Sequence, residues 1–198
     1  MDRTLDYYER NTERFIEDTR NTDFSHIQNE FAALLPENAH ILDLGCGAGR
    51  DSKAFMDHSY AVTPADGSPG ICENTAKFLG IPVRNMRFDE LDDVDVYDGV
   101  WACASLLHVK RDELNIIFQR IARSLKTDGV FYCSFKKGEF CGYRSGRYFT
   151  DLTEQELADL LADNFVPIKI WETVDVRPDR SDQKWVNAIA RKRQAPHG

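Results

Sequence analysis

The sequence lacks long apolar runs and closely paired cysteines. No uninterrupted apolar segment reaches the roughly eighteen residues that cross a membrane, and the first residues, Met-Asp-Arg-Thr, are polar. We therefore expect neither a membrane span nor a signal peptide. The five cysteines are an odd number without a Cys-x-x-Cys spacing, so we expect free thiols and no metal ion. Free thiols in an acidic chain are typical of a cytoplasmic protein.

Basic residues are also few. The chain has 25 Lys and Arg against 33 Asp and Glu, which gives a formal charge of −8. A general nucleic-acid partner would require a basic face, so we do not expect one. The length of 198 residues and the hydrophobic fraction of 42% predict one globular domain spanning residues 1–198. Nothing in the sequence indicates a dimer surface.

What the chain does contain is a glycine-rich turn within segment 41–50. Its sequence, Ile-Leu-Asp-Leu-Gly-Cys-Gly-Ala-Gly-Arg, predicts an apolar strand, a turn and a helix. The glycines let a ligand approach the backbone closely, because no Cβ is in the way. The dinucleotide-binding pattern would place its third glycine at position 50, where Arg50 stands. The glycine spacing therefore disfavours an NAD-dependent oxidoreductase.

Asp43 narrows the choice of ligand. It lies two residues before the first glycine, and its carboxylate would disfavour a phosphate bound at the helix N-terminus. A ligand with a cationic ammonium and no phosphate would accept that carboxylate. S-adenosylmethionine (SAM) is such a ligand.

Residues after the second and third predicted strands agree with SAM. Asp66 ends the second strand, where an acidic residue can hold a ribose diol by two charge-assisted hydrogen bonds. Phe88 and Asp89 follow the third strand and place an aromatic ring beside a carboxylate. That pair suits stacking on an adenine and accepting a hydrogen bond from its amino group.

With these motifs the chain resembles the class I SAM-dependent methyltransferases, and among them the tellurite-resistance-type methyltransferases of small molecules. The resemblance covers nearly the whole chain and keeps the motif order. It departs at Pro64, where the family usually has a small residue, and at Thr127-Asp128, which replaces the usual Pro-Gly. The matching segments are 43–49, 66–68, 88–89, 97–100 and 125–129.

The resemblance implies a fold and a site. We expect an α/β, Rossmann-like fold with a seven-stranded, mostly parallel sheet, a terminal antiparallel hairpin and helices on both faces. Residues 1–37 would form a helical lid on a core of residues 38–198. The product of the cofactor would be S-adenosyl-L-homocysteine. The residues that the resemblance assigns to the cofactor are Tyr8, Asp43, Gly45, Cys46, Gly47, Arg50, Asp66, Gly67, Ser68, Ile71, Phe88, Asp89, Ala102, Ala104 and Leu106.

Hydrophobic periodicity supports this architecture. One amphipathic helix is predicted over residues 3–20, and segment 136–150, with three glycines, is predicted to be a mobile loop. The other predicted helices span 25–35, 50–58, 68–78, 111–125 and 153–162. The predicted strands span 39–44, 59–65, 81–86, 97–103, 129–135, 165–174 and 184–191.

His108, after the fourth strand, is the best candidate for a catalytic base, because imidazole titrates near neutral pH. A base is required only if the acceptor holds a proton. Three interpretations stay open: a histidine packed at the strand end, a hydrogen bond to the substrate, or removal of its proton. Tyr8 either packs its helix down or belongs to a lid near the methyl group.

Two segments at the predicted active-site edge contain arginine residues. Segment 136–150 has four basic residues against one acidic residue, and Arg177 lies in the loop 175–183. Each could be a solvated surface charge, but together they predict a small, anionic acceptor held by guanidinium groups. We expect Arg147, Tyr148 and Arg177 to line the acceptor pocket.

A further absence narrows the reaction. The segment Asn/Asp-Pro-Pro-Tyr, which enzymes that methylate amino groups of DNA or protein amides place after the fourth strand, is replaced by Ala-Cys-Ala-Ser at 102–105. This leaves an oxygen, sulfur or chalcogen nucleophile, with a tellurium or selenium oxyanion among the candidates. Two alternatives stay open: a SAM-binding sensor or partner subunit without catalysis, and a methyltransferase of a nucleotide or an RNA.

Overall fold

The protein is built around one seven-stranded sheet. The structure, a computed structural model, describes residues 3–176 and 182–194. The strands in these residues are β1 (His40–Leu44), β2 (Ala61–Asp66), β3 (Arg84–Asn85), β4 (Tyr97–Ala102), β5 (Leu125–Lys136), β6 (Cys141–Arg144), β7 (Arg147–Thr150), β8 (Phe165–Val174) and β9 (Lys184–Lys192).

The strand order of the large sheet is β3-β2-β1-β4-β5-β9-β8, and β6 and β7 form a separate hairpin. The first five of these strands run parallel, whereas β9 is antiparallel to both β5 and β8. The predicted Rossmann-like fold is therefore confirmed. Since β8 runs in the direction of β5, the end of β8 and the start of β9 lie at the carboxyl edge of the parallel strands.

Helices cover both faces of the sheet. The helices of the described residues are α1 (Arg3–Arg10), α2 (Thr12–Thr19), α3 (Ser25–Ala32), α4 (Arg50–Asp57), α5 (Pro69–Leu79), α6 (Leu114–Ser124) and α7 (Glu154–Leu161), with 3₁₀ turns at Phe88–Glu90 and Leu106–His108. Side chains of α6 and α7 pack on one face, and side chains of α3 and α4 pack on the other. No helix in the described part of the chain is long and apolar enough to cross a membrane.

The strand sequences explain why two cores form. Ile41 and Trp101 join the core beneath α3 and α4, whereas Leu42 and Val100, their chain neighbours, join the core beneath α6 and α7. Successive side chains of a strand point to opposite faces. Consecutive apolar residues in β1 and β4 therefore require cover on both faces of the sheet.

Two predicted elements are shorter or broken. The single helix predicted over 3–20 is split at Asn11, whose backbone leaves helical geometry with φ −122° and ψ 20°. The Asn11 side-chain amide donates to the carbonyl oxygen of Tyr7 at 2.7 Å, a local bond that competes with the helical ladder. The third strand spans only two residues. Other boundaries differ by a few residues, as is usual at element ends.

Segment 136–150 was predicted to be a mobile loop, and this prediction is wrong. Residues 141–150 form the hairpin β6–β7, in which Cys141 pairs with Thr150 and Arg144 pairs with Arg147. The two turn residues, Ser145 and Gly146, have φ values of 50° and 83°. Two positive φ angles are the mark of the tight turn whose twist suits a two-residue hairpin connection.

Candidate active site

A cavity of about 1360 Å³ opens at the carboxyl edge of the parallel strands, where open α/β sheets bind their ligands. Its wall contains the glycine turn after β1 and the residues that follow β2, β4 and β5. Side chains of α1, α2, the hairpin β6–β7 and the start of β9 complete the wall. The cavity therefore lies at the edge that the topology predicted.

The turn after β1 brings its backbone very close to the end of β4. Gly45 has φ 82°, and its amide donates to the carbonyl oxygen of Ala65 at 2.8 Å. A Cβ on Gly45 would lie 2.4 Å from Cβ of Ser105, whose hydroxyl donates to the carbonyl oxygen of Leu44 at 2.7 Å. Glycine is required here for both the positive φ and the space.

Asp66 lies beside this turn at the end of β2. Its Oδ2 accepts from the amide of Gly47 at 3.1 Å, and its Oδ1 accepts from the amide of Ser68 at 2.9 Å. Burial raises the pKa of Asp66, although these backbone amides oppose the shift. An ionised carboxylate has about four acceptor positions, so Asp66 retains capacity for a ribose hydroxyl.

Phe88 and Asp89 also line the cavity. The ring of Phe88 is near the glycine turn, since its Cε1 would lie 3.5 Å from a Cβ on Gly45. The carboxylate of Asp89 accepts from Nε of Arg87 at 3.0 Å. The ring and the carboxylate that were predicted for an adenine therefore reach the same cavity as Asp66.

Helices α1 and α2, residues 3–19, lie over the glycine turn. From here on we call these two helices the lid, which is a shorter segment than the lid predicted over residues 1–37. Side chains of Leu5, Tyr8 and Phe15 line the cavity. A Cβ on Gly47 would lie 3.1 Å from Phe15, and a Cβ on Gly67 would lie 2.9 Å from Leu5. The lid therefore touches the same backbone that the cofactor is predicted to contact.

His108, Tyr8 and Arg147 form a hydrogen-bonded group in the wall. His108 Nε2 lies 2.7 Å from the hydroxyl of Tyr8, and His108 Nδ1 lies 2.6 Å from the carbonyl oxygen of Tyr148. Arg147 Nη1 donates to the Tyr8 hydroxyl at 3.3 Å. Burial raises the pKa of Tyr8, and the Arg147 charge opposes this shift. The lid residue Tyr8 thus connects the candidate base to the candidate substrate residue.

Arg147 differs from the other arginines of the cavity wall. Arg50 donates twice to Asp51 at 2.8 Å, and Arg144 donates to Asp151 at 2.9 and 2.6 Å. Arg147 has no carboxylate partner among residues 3–176 and 182–194, and within the same residues its buried Nε lacks a hydrogen-bond acceptor. Its guanidinium lies over the rings of Tyr7, Tyr8 and Phe149. The cavity therefore contains a positive charge that no described carboxylate neutralises.

Several predicted site residues do not line the cavity. They are Asp43, Ser68, Ala102, Leu106 and Tyr148. Asp43 is buried behind the turn, where it accepts from the hydroxyl of Ser52 at 2.6 Å. Burial, together with the negative charge of Asp51, raises the pKa of Asp43 to about 7. Asp43 could therefore affect a bound cation only through its electric field and not through direct contact.

Tyr148 lies on the outer side of the hairpin. Neighbours in a strand alternate in direction, so Arg147 and Phe149 line the cavity while the Tyr148 hydroxyl lies 3.0 Å from Sγ of Cys141. Only its backbone takes part in the site, through the carbonyl oxygen that His108 contacts. Arg177, the third predicted substrate residue, lies outside the described residues.

Sequence reasoning placed segments 136–150 and 175–183 at this edge but missed the part of the wall that β9 forms beside them. Lys136, Asp175, Trp185 and Asn187 line the cavity there. Trp185 Nε1 donates to Asp175 at 3.2 Å, and the Asn187 amide donates to the hydroxyl of Thr173 at 3.0 Å. A signal was present, because Asn187 is a polar residue inside an otherwise apolar strand beside β5.

Residues 41–129 match the model of a family described as methyltransferase domain. This similarity to a methyltransferase domain covers slightly less than half of the chain. The match begins in β1, just before the glycine turn, and ends in β5, so it contains Asp66, Phe88 and His108. No curated protein matches the chain by sequence.

Several solved structures have a fold similar to that of this chain. The 1,6-didemethyltoxoflavin-N1-methyltransferase of Burkholderia thailandensis, with its substrate and S-adenosylhomocysteine bound, is 26% identical, with a TM-score of 0.79 over 96% of this chain and 87% of that one. The N-methyltransferase NodS of Bradyrhizobium japonicum, in complex with S-adenosyl-L-homocysteine, is 13% identical to this chain. Its TM-score is 0.73, over 94% of this chain and 98% of that one. TehB of Haemophilus influenzae is 17% identical, with a TM-score of 0.72 over 90% of this chain and 66% of that one.

The domain match and the Burkholderia enzyme confirm two predictions, a SAM-dependent methyltransferase as the enzyme class and SAM as its cofactor. At their identities NodS and TehB share only the fold with this chain. The likeness to TehB therefore does not distinguish the tellurite-resistance type from other methyltransferases of this fold.

Proposed function

We propose that the protein transfers a methyl group from SAM to a small acceptor that carries negative charge. The observation that carries this proposal is the guanidinium of Arg147, which lacks a carboxylate partner in the described part of the chain. Burying a charge is unfavourable unless the charge is paired. An anionic group on the acceptor would pair with Arg147 and place the acceptor beside Tyr8.

SAM fits the part of the cavity at the glycine turn. We assign the backbone of residues 45–47 to its amino-acid end, Asp66 to its ribose and Phe88 to its adenine, in line with the spare acceptor positions of Asp66. When bound, SAM supplies a methyl group on a sulfonium, which is a good leaving group. The task left to the protein is to orient the acceptor and exclude water, and Tyr8 and Phe15 of the lid are placed for that.

A planar heterocycle is a second candidate acceptor. The Burkholderia enzyme binds 1,6-didemethyltoxoflavin, and in this chain Phe149 and Trp185 offer aromatic rings to the cavity. Since two of the similar enzymes are N-methyltransferases, a nitrogen nucleophile is included beside oxygen, sulfur and chalcogen. Tellurite and selenite meet the charge requirement and remain candidates as well.

The first experiment measures S-adenosylhomocysteine by mass spectrometry after incubation with SAM and a panel of acceptors. The panel contains tellurite, selenite, benzoate, 3-mercaptopropionate, 4-mercaptobenzoate, 1,6-didemethyltoxoflavin and a desalted cell extract. We expect product from at least one anionic member. Tight SAM binding with no product from any member would contradict the proposal and favour a SAM-binding sensor or partner subunit.

A second experiment tests the role of Arg147. Arg147→Met keeps the length and apolar contacts of the side chain but removes its charge. We expect the KM of an anionic acceptor to rise about 10- to 100-fold, the loss of one charge-assisted contact, while the Kd of SAM changes less than about twofold. Arg14→Met, on the exposed side of the lid, is the matched control. An equal loss of acceptor and SAM binding would indicate unfolding instead.

A further inference from the structure

We propose that the hydroxyl of Tyr8 is the group that meets the acceptor, and that His108 receives the acceptor's proton through this hydroxyl. The inference rests on the proposed function and assigns roles within its site. In this arrangement His108 does not take the proton from the acceptor directly. Its Nε2, the nitrogen that could take a proton, lies 2.7 Å from the Tyr8 oxygen and is therefore occupied by that hydroxyl. Tyr8 belongs to the lid, so the catalytic group is complete only when the lid is in place.

The hydrogen-bond pattern fixes the proton on the His108 ring. Nδ1 lies 2.6 Å from the backbone carbonyl oxygen of Tyr148, and a carbonyl oxygen can only accept, so Nδ1 carries a proton. In a neutral imidazole the other nitrogen is then an acceptor. Nε2 therefore accepts from the Tyr8 hydroxyl, and the carbonyl oxygen of Tyr148 is placed to stabilise the ring once Nε2 gains a proton.

Arg147 holds the other side of the Tyr8 oxygen. Its Nη1 donates to that oxygen at 3.3 Å, and this long contact occupies one of the two lone pairs. The second lone pair is available to a hydroxyl or thiol of an acceptor. An acceptor whose anionic group pairs with Arg147 would bring its nucleophilic atom towards Tyr8, so one arginine serves both binding and orientation.

Burial keeps Tyr8 protonated before the reaction. Burial raises the pKa of Tyr8, the neighbouring groups Asp66 and Tyr7 raise it further, and Arg147 opposes them without reversing the shift. A phenol that holds its proton at neutral pH cannot act as a preformed base. It can pass a proton on, which requires the acceptor nitrogen that His108 presents.

The proton balance is simple. As the acceptor atom forms its bond to the methyl carbon, its proton moves to the Tyr8 oxygen and the phenolic proton of Tyr8 moves to Nε2 of His108. The electron pair of the broken carbon–sulfur bond stays on sulfur. Tyr8 ends as a phenol, and His108 ends as an imidazolium that returns its proton to solvent.

The first test uses the cofactor-free protein labelled with ¹⁵N-histidine. We expect NMR to show a protonated Nδ1 and an unprotonated Nε2 for His108, whose signals are assigned by their loss in His108→Gln. Tyr8→Phe should shift the Nε2 signal, whereas Tyr60→Phe, a matched control on the opposite face of the sheet, should not. A protonated Nε2 in the wild type would overturn the proposal, because that nitrogen could not accept the phenolic proton.

The second test compares two carboxylate-bearing acceptors across about pH 5 to 8, the range in which imidazole titrates. The thiol of 3-mercaptopropionate is protonated at neutral pH, whereas the aromatic thiol of 4-mercaptobenzoate ionises much more readily. In Tyr8→Phe and His108→Gln we expect about 100-fold slower methylation of the first at neutral pH, the usual size of acid–base catalysis. The pH–rate profile of these variants should follow the thiolate fraction of the acceptor instead of the titration of an imidazole. The second should slow less than about threefold.

His108→Gln distinguishes proton transfer from positioning. The Gln side-chain oxygen can accept from Tyr8 but cannot take its proton, so recovery of the wild-type rate in this variant would overturn the proposal. His26→Gln, at an exposed ion pair, is the matched control. The Kd of SAM should stay within about threefold in Tyr8→Phe, since the ring that lines the cavity is kept.

The outcomes separate this inference from the proposed function. Equal slowing of both thiols, or an unchanged pH–rate profile, in variants of an active wild type would overturn only the inference. If the extract alone is methylated, the pH–rate profile is measured with the extract, and a profile unchanged in both variants would overturn the inference. A wild type that forms no product from any panel member overturns the proposed function, and the inference with it.

Discussion

Glu9 of α1 accepts a hydrogen bond from the hydroxyl of Ser68 at 2.7 Å, and its Oε2 also accepts from the amide of Gly70 at 3.0 Å. Ser68 is the N-cap of α5, where its hydroxyl accepts from the amide of Ile71. A carboxylate at a helix N-terminus is favoured by the helix dipole and the open amides. Glu9 therefore fastens the lid to the segment that follows Asp66.

We predict that Glu9→Gln accelerates SAM dissociation about three- to tenfold. The variant weakens the charge-assisted contacts that hold the lid, and the effect stays modest because Glu9 is exposed and its charge is screened. Stopped-flow fluorescence with excess S-adenosylhomocysteine as competitor measures the dissociation rate. Glu73→Gln, in the surface pair with Lys77, is the control. An unchanged rate would mean that the lid opens independently of this contact.

Two glycines with positive φ allow a test of close approach in the turn. Gly45 and Gly80 have φ values of 82° and 71°, but only Gly45 has a neighbour in the way, Ser105 at 2.4 Å from the added Cβ. Gly80→Ala should cost about 1 kcal/mol of stability from the left-handed backbone alone. Gly45→Ala should cost clearly more and also weaken SAM binding.

Urea unfolding and calorimetric titration with SAM measure these two quantities. The comparison of the two variants removes the shared backbone strain, so the difference reports the collision with Ser105. Equal destabilisation of Gly45→Ala and Gly80→Ala would show that the turn can move away from β4. In that case the close approach would not be needed to shape the cofactor site.

The cavity wall around the glycine turn could be predicted from sequence, and the wall around the hairpin β6–β7 only in part. The glycine turn and Asp66 each follow a strand that can be recognised from a short run of neighbouring residues. The ends of these strands therefore place both at the carboxyl edge of the sheet. The hairpin β6–β7 could not be placed in this way, because its partner surface is the lid: the amide of Tyr148 donates to the hydroxyl of Thr4 at 3.0 Å. Contacts between residues so distant in sequence leave no periodic signal.

The direction of individual side chains was the other limit. The pattern placed both Arg147 and Tyr148 in the acceptor pocket, but strand alternation turns one inwards and the other outwards. Asp43 was expected at the ligand because of its position in the turn, whereas its hydrogen bond to Ser52 of α4 holds it behind the backbone. Both differences depend on local geometry that residue type does not specify.

Asp43 predicts a pH dependence of stability. Its pKa in the folded protein is raised to about 7 from an ordinary value of 3.8, so between these values the folded state binds the proton more strongly than the unfolded state. The free energy of unfolding therefore falls as pH rises through this window. Asp43→Asn removes that penalty, and its stability relative to wild type should increase from about pH 4 to 7 and then level off.

Urea unfolding at about pH 5 and pH 8 measures this difference, which should grow by on the order of 2 kcal/mol between the two conditions. The matched control is Asp57→Asn, an exposed carboxylate on α4, for which the difference should stay nearly constant. A difference that instead grows towards low pH would mean that Asp43 is ionised in the folded protein.

Asp66 gives the sharpest test of the cofactor assignment. Asp66→Asn would weaken SAM binding, but it would also disturb the turn, because an amide cannot accept from both Gly47 and Ser68 with its two ends.

A ligand comparison separates the two effects. S-adenosylhomocysteine and its 2′-deoxyribose analogue are titrated into both proteins by calorimetry. The wild type should bind the analogue about 30-fold more weakly, the loss of one hydrogen bond to a charged group. The variant should distinguish the two ligands by less than about threefold. Equal discrimination in both proteins would remove Asp66 from the ribose and assign it to the support of the turn alone.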